Sequence, residues 1–132
     1  MRYLLDTCTV SDFVKGLPAV MQRIRQSEPG WLAVSVVTRM EIDFGLALNA
    51  ERARKYAPLL DDFFSVVPTL EFAVADAEAS ASLRASLRQQ GRPIGAYDVL
   101  IAGTALARGL TVVTSNAAEF ERIAGLRVEN WR

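Results

Sequence analysis

Three acids, Asp6, Glu41 and Asp98, stand where short apolar runs hand the chain over to helices, and the sequence contains no histidine at all. The missing histidine removes serine–histidine and cysteine–histidine catalysis, histidine phosphotransfer and histidine-held metals. The single cysteine, Cys8, cannot close an intrachain disulfide or join a zinc cluster, and it reads as a small buried apolar residue. Carboxylate chemistry is what remains. Taken singly, each acid has an ordinary explanation: Asp6 a turn or N-cap, Glu41 a capping-box partner of Thr38, Asp98 an acid favoured by a helix dipole. Taken together they point further. Gathered carboxylates raise one another's pKa values, and a divalent cation with oxygen ligands, Mg2+ or Mn2+, relieves the repulsion. Such a centre hydrolyses a phosphodiester without histidine.

Whether the acids meet depends on the elements that carry them. Arg2 to Leu5 is β-prone and stops at Asp6-Thr7, and the Thr9 to Asp12 spacing then resembles a capping box opening a helix. Leu17 to Ile24 continues as helix, closed by the turn signal Glu28-Pro29-Gly30. Trp31 to Ser35 has the unbroken apolar character of a strand buried on both faces, and the Thr38–Glu41 spacing starts the next helix. From Ala50, Tyr56, Leu59, Leu60, Phe63 and Phe64 form a wide apolar stripe, with Pro58 inside it expected to kink or restart the helix. That stripe exceeds what one small sheet needs, which predicts that it serves an interface as well as the core.

Ser65 to Leu70 reads as a third strand, Phe72 to Gln90 as a helix stopped by Gly91, and Val99 to Ala107 as a helix packed on several sides. Leu110 to Thr114 is a fourth strand, Ala117 to Ile123 a short helix, and Gly125 to Val128 an edge strand. Strands alternating with helices predict one α/β domain over residues 1–132, with a mostly parallel sheet of four to five strands. Ligands collect at the carboxyl ends of such strands, near a topological switch. Asp6, Ser35 and Thr114 each end a predicted strand, so one edge gathers the polar groups.

Composition narrows the partners. Fifteen basic and fifteen acidic residues leave zero net charge, so nucleic-acid binding needs a local patch and not a global field. No apolar run approaches the roughly 20 residues that span a bilayer, and a cytoplasmic location without membrane association is the expectation.

The segments LLDTCTVSDF, VSVVTRMEIDFG, GRPIGAYDVLIAGTALARGLTVVTSNAAEF and the closing GLRVENW together resemble the PIN-domain ribonucleases, specifically the VapC-type toxins of bacterial toxin–antitoxin modules. The resemblance runs through the whole chain at matching spacing. It implies a three-layer α/β/α fold, Mg2+- or Mn2+-dependent RNA cleavage that arrests translation, homodimerisation, and inhibition by a small cognate VapB-like antitoxin, with a higher-order complex on operator DNA. Carried over by position, Asp6, Glu41 and Asp98 are the catalytic and metal-holding acids, Thr114 faces the substrate, and Ser11 orients a ligand or contacts substrate, set against a plain helix-surface serine. Many PIN domains place a fourth acid where this chain has Asn116, which offers an amide oxygen to metal or substrate but no charge. Glu119, one helical turn on, is the alternative, set against a plain surface acid. Arg84, Arg88 and Arg92 form a basic rim for RNA or a solvated helix face, and no aromatic platform for stacking bases is evident.

Competing readings fail on particular residues. A haloacid-dehalogenase-like phosphatase needs an aspartate where Cys8 stands, and a phospho-receiver domain needs a late lysine, yet none follows Lys55. A metal-free PIN-like module that binds RNA or protein without cutting is the non-enzyme alternative, kept open by Asn116.

Overall fold

Alternate residues of the apolar runs enter two separate cores on opposite sides of one sheet, as the two-residue period of a strand requires. Leu4, Ala33 and Val112 pack on one side, whereas Leu5, Leu32, Val34 and Val113 pack on the other. The computed structural model describes all residues from Met1 to Arg132. Its sheet comprises β1 (Tyr3–Leu5), β2 (Leu32–Ser35), β3 (Thr69–Leu70), β4 (Thr111–Val113) and β5 (Val128–Glu129). Their spatial order is β3-β2-β1-β4-β5, and every pairing is parallel. The chain moves outward from β1 to β3 and then returns to the far side of β1, which puts the topological switch beside β1.

Seven α-helices complete the layers: α1 (Thr7–Val14), α2 (Pro18–Gln26), α3 (Val36–Ala47), α4 (Ala50–Val66), α5 (Val74–Gln89), α6 (Ala96–Arg108) and α7 (Ala117–Phe120). Val10, Val20, Ile24, Leu60 and Phe63 bring α1, α2 and α4 to one face. Leu83, Leu87, Ile101, Ala102, Ala105 and Phe120 bring α5, α6 and α7 to the other. The three-layer α/β/α architecture follows, and α3 contributes to both cores through Val37 and Ile42.

Several local expectations are corrected. Helix α1 starts at Thr7 with Asp6 as its N-cap, so the Thr9–Asp12 spacing is interior helix. Ser35, whose hydroxyl accepts from the Val37 N–H at 3.0 Å, caps α3, and Glu41 therefore lies in the helix body and not in a capping box. Pro58 does not break α4, which runs continuously to Val66. Pro58 and Arg54, one turn back, are both exposed, so water can serve the carbonyl that proline leaves without a donor. Strand β3 shrinks to two residues because α4 runs on until Pro68 forces the preceding Val67 into extended backbone.

Of the α4 stripe, Leu60 and Phe63 are buried, Tyr56 and Phe64 half-buried, and only Leu59 is open. A longer exposed apolar line runs along α3 to its C-cap, where Val36, Met40, Phe44 and Leu48 recur every fourth residue. No helix is long and apolar enough to cross a membrane.

Candidate active site

Asp6 sits one residue beyond β1 in extended backbone, buried, with its Oδ1 accepting the Thr9 N–H at 3.0 Å. Its own N–H donates to the Val113 carbonyl at 3.0 Å, and the Thr9 hydroxyl donates to the same carbonyl at 2.9 Å. Capping α1 and facing the carboxyl edge are thus one conformation. The first acid is fixed to β4 as well as to β1.

Glu41 reaches the same edge from α3. Its Oε1 accepts the Thr7 hydroxyl at 2.7 Å, which joins the body of α3 to the first turn of α1. Asp98 arrives in the first turn of α6, half-buried. Burial, then the charges of Asp6, Glu41 and Glu119, push its carboxyl from 3.8 up to about 6, with no hydrogen bond pulling it back. One carboxyl that feels three others marks a shared cleft. Asp98 thus lies within electrostatic reach of the other two predicted acids, Asp6 and Glu41, and of Glu119 as well.

Asn116 stands at the rim, exposed, and its Nδ2 donates to Glu119 Oε2 at 2.8 Å while its N–H donates to Thr114 Oγ1 at 2.9 Å. The neutral residue therefore orients the nearby acid. Thr114 is buried at the end of β4. Ser11 lies one turn along α1 from Thr7 and lines a recess with Thr7 and Glu41. Arg84 and Arg88 stay apart, lining a different groove with Pro93, Ile94 and Val99 on the α5–α6 side.

Cys8 is not an inert core residue. Its half-buried thiol donates to both Asp6 oxygens at 3.1 Å and accepts the Ser115 hydroxyl at 3.1 Å. Burial first, and the Asp6 charge second, push its pKa above the ordinary thiol value, so it stays protonated as a donor. Sequence reasoning missed Thr7, Cys8 and Ser115. Their only signal was position, one or two residues from Asp6 and Thr114.

The cleft suits a hard cation. Its charged donors are all carboxylate oxygens, which match Mg2+ or Mn2+ better than soft metals. No three acidic side chains close tightly enough to enclose an ion by themselves, and Mg2+ ordinarily keeps several waters at sites with few protein ligands. Mutual repulsion at Asp98 is what a cation there would relieve.

Known proteins are similar to this chain along its whole length. The PIN domain family matches residues 3–126. The tRNA(fMet)-specific endonuclease VapC of Shigella flexneri is 36% identical over 131 residues, covering 99% of this chain and 98% of that one. Ribonuclease VapC2 of Haemophilus influenzae is 34% identical over 132 residues, with 99% and 98% covered. Among solved structures, DNA-bound VapBC from Salmonella typhimurium superposes with a TM-score of 0.92 at 34% identity, covering 100% of this chain and 99% of that one. VapBC2 from Rickettsia felis, bound to a promoter DNA fragment, gives 0.89 at 28% identity with both chains fully covered. The chain belongs to the PIN-domain family, and within it to the VapC ribonucleases.

Proposed function

We propose that this chain is the toxin of a toxin–antitoxin pair, an endoribonuclease that hydrolyses RNA phosphodiesters and is dependent on Mg2+ or Mn2+. The observation that carries the reading is the raised carboxyl of Asp98, surrounded by Asp6, Glu41 and Glu119 at the carboxyl edge of a parallel sheet. Mg2+ or Mn2+ in this cleft supplies positive charge that polarises the phosphodiester and favours ionisation of the attacking water. Asp6, Glu41 and Asp98, together with bound water, would hold it, while Asn116 donates to Glu119 beside them. Thr7 and Cys8 fix the orientation of Glu41 and Asp6 through their hydrogen bonds. Structured RNA of the kind named for the Shigella relative, initiator tRNA, is the first substrate to test.

The two solved relatives named above are VapBC complexes, both on DNA, and they support an antitoxin of the VapB type as inhibitor and a joint complex on operator DNA. A homodimer is part of the same reading. The exposed Val36-Met40-Phe44-Leu48 line of α3 supports it better than the α4 stripe, where little beyond Leu59 is open.

The deciding experiment incubates antitoxin-free protein with tRNA in Mg2+, in Mn2+ and in chelator, beside Asp6→Asn. Cleavage in metal alone, lost in the variant, is expected. Cleavage that persists in chelator or in Asp6→Asn overturns the mechanism.

A further inference from the structure

A recess between α1, α3 and α4 opens directly off the acid cleft, because Thr7 and Glu41 line both. From Thr7, Ser11 and Lys15 follow along α1 at four-residue steps, and Arg52 and Tyr56 face the same recess from successive turns of α4. Neither Lys15 nor Arg52 is occupied by an ion pair. The chain's salt bridges join Arg23 to Glu129, Arg39 to Asp43, Arg108 to Asp76 and Arg132 to Asp12.

This pairing of charges has a chemical meaning. A cleft of four carboxylates repels a polyanion, and with zero net charge the rest of the chain supplies no compensating field. Free cations one step from the acids correct that imbalance locally. Tyr56 is half-buried against the core, its ring lines the recess, and the Lys55 ammonium lies over one ring face 5.3 Å from its centre, so an aromatic group reaches the recess beside positive charge. Single-stranded nucleic acid is bound by that combination, phosphates on cations and bases on aromatic rings. The separate Arg84–Arg88 groove has the cations but neither an aromatic nor an acid.

We propose that this recess is a nucleotide subsite flanking the scissile phosphate, with Lys15 and Arg52 on a neighbouring phosphate, Ser11 hydrogen-bonding the backbone, and Tyr56 packing against an unpaired base. The subsite deepens the ribonuclease reading and rests on it for the position of the cut. It also supplies the stacking surface that the sequence did not reveal.

The test measures binding of a fluorescein-labelled single-stranded RNA decamer to the Asp98→Asn chain, which separates holding from cutting. Lys15→Gln and Arg52→Gln each reduce the salt slope of binding by about 0.7. Tyr56→Leu weakens binding about tenfold, while Tyr56→Phe stays within about twofold of the parent. On the cleavage-competent chain the same substitutions raise KM and leave kcat near its parent value, as lost uniform binding requires. Arg84→Gln changes neither. Unchanged affinity and salt slope in the recess variants overturns the subsite even if the chain cleaves RNA. A parent chain that never cleaves overturns the nuclease reading and leaves the binding result to be judged alone. A poly-glutamate decamer that binds as well, with the same dependence on Tyr56, also overturns the proposal, because the recess would then be a protein site.

Discussion

The Thr7 hydroxyl donates to Glu41 Oε1 at 2.7 Å across 34 positions of sequence, and this bond ties the helix that Asp6 caps to the helix that carries the second acid. One Glu41 oxygen is thereby held while the other is left to the cleft. Thr7 acts through Glu41 and is a positioning residue. Removing a partner of this kind typically costs 10- to 100-fold in metal affinity or activity. Thr7→Val should therefore weaken Mn2+ binding, measured by calorimetry, by about tenfold with little change in thermal midpoint. Thr7→Ser should restore it. Full Mn2+ affinity in Thr7→Val would show that Glu41 needs no anchor.

Asp98 makes a prediction about pH in the metal-free protein. Its folded pKa, about 6, lies above the ordinary 3.8, so the folded state holds the proton more tightly than the unfolded chain. Stability from this group is present below pH 3.8 and is lost as pH rises toward 6. The carboxyl is half exposed, so solvent screening reduces the effect to on the order of 1 kcal/mol. Asp98→Asn should then raise the metal-free midpoint at pH 7.5 relative to wild type, and the gap should narrow by pH 4.5. An equal gap at both values would show that Asp98 is not strained by its neighbours.

On the opposite layer, Arg108 holds Asp76 through Nε at 3.3 Å and Nη2 at 2.9 Å, and the same Nη2 donates to the Glu71 carbonyl at 2.8 Å. The Asp76 side chain is 1% exposed. Burial alone would raise its pKa, but hydrogen bonds from Arg108 and the Ala73 N–H, with the Arg108 charge, hold it below the ordinary value. Arg108→Met leaves a buried carboxylate without its partner, at a cost of about 3 kcal/mol. The loss should be largest near pH 7 and shrink on acidification, as Asp76 takes up a proton. Urea unfolding at pH 7 and pH 4.5 measures both.

The sequence carried the strand–helix alternation, the parallel sheet and the three acids because each rests on local pattern. Four apolar runs ended in Asp6, Ser35, Leu70 and Thr114, and parallel pairing alone puts those ends on one edge. What it did not carry depends on side chains meeting across long separations. Thr7 reads as a helix-start residue until α3 is placed beside α1. Tyr56 reads as part of an apolar stripe for core and interface until Lys15 and Glu41 appear around it. The Cys8 thiol was misread because its neighbours Thr114 and Ser115 are 106 and 107 residues away. The lower end of β3 was overextended because Ser65 and Val66 suit a strand as well as a last helical turn, and only Pro68 decides the boundary.

Phe44, 61% exposed, is central in the α3 line with Met40 at 41% and Leu48 at 71%. If a second copy of the chain covers this line, Phe44→Asp places a charge in a buried apolar interface and should shift the protein to monomer. Sedimentation at micromolar concentration measures it. Leu59→Asp on α4 should leave the assembly intact. The reverse pattern would return the interface to α4.

Gly103 sits in the middle of α6 where that helix crosses α5, and a Cβ there would lie 2.8 Å from the Ser80 backbone nitrogen and would also strike its hydroxyl. Ser80 cannot swing away freely, since its hydroxyl donates to the Asp76 carbonyl at 2.7 Å. Gly103→Ala must push the helices apart. Overpacking of this kind costs about 1–3 kcal/mol, or roughly 4 °C of thermal midpoint per kcal/mol for a chain of this length. Truncating the hydroxyl in Ser80→Ala/Gly103→Ala should recover only part of the loss, because the backbone nitrogen still blocks the methyl. Asp98 opens the same helix, so the shift should also reach the cleft. Cleavage well below the thermal midpoint should fall further in Gly103→Ala than in Arg108→Met, although both variants lose comparable stability. Equal residual cleavage in the two would show that the α5–α6 spacing supports the fold without setting the position of Asp98.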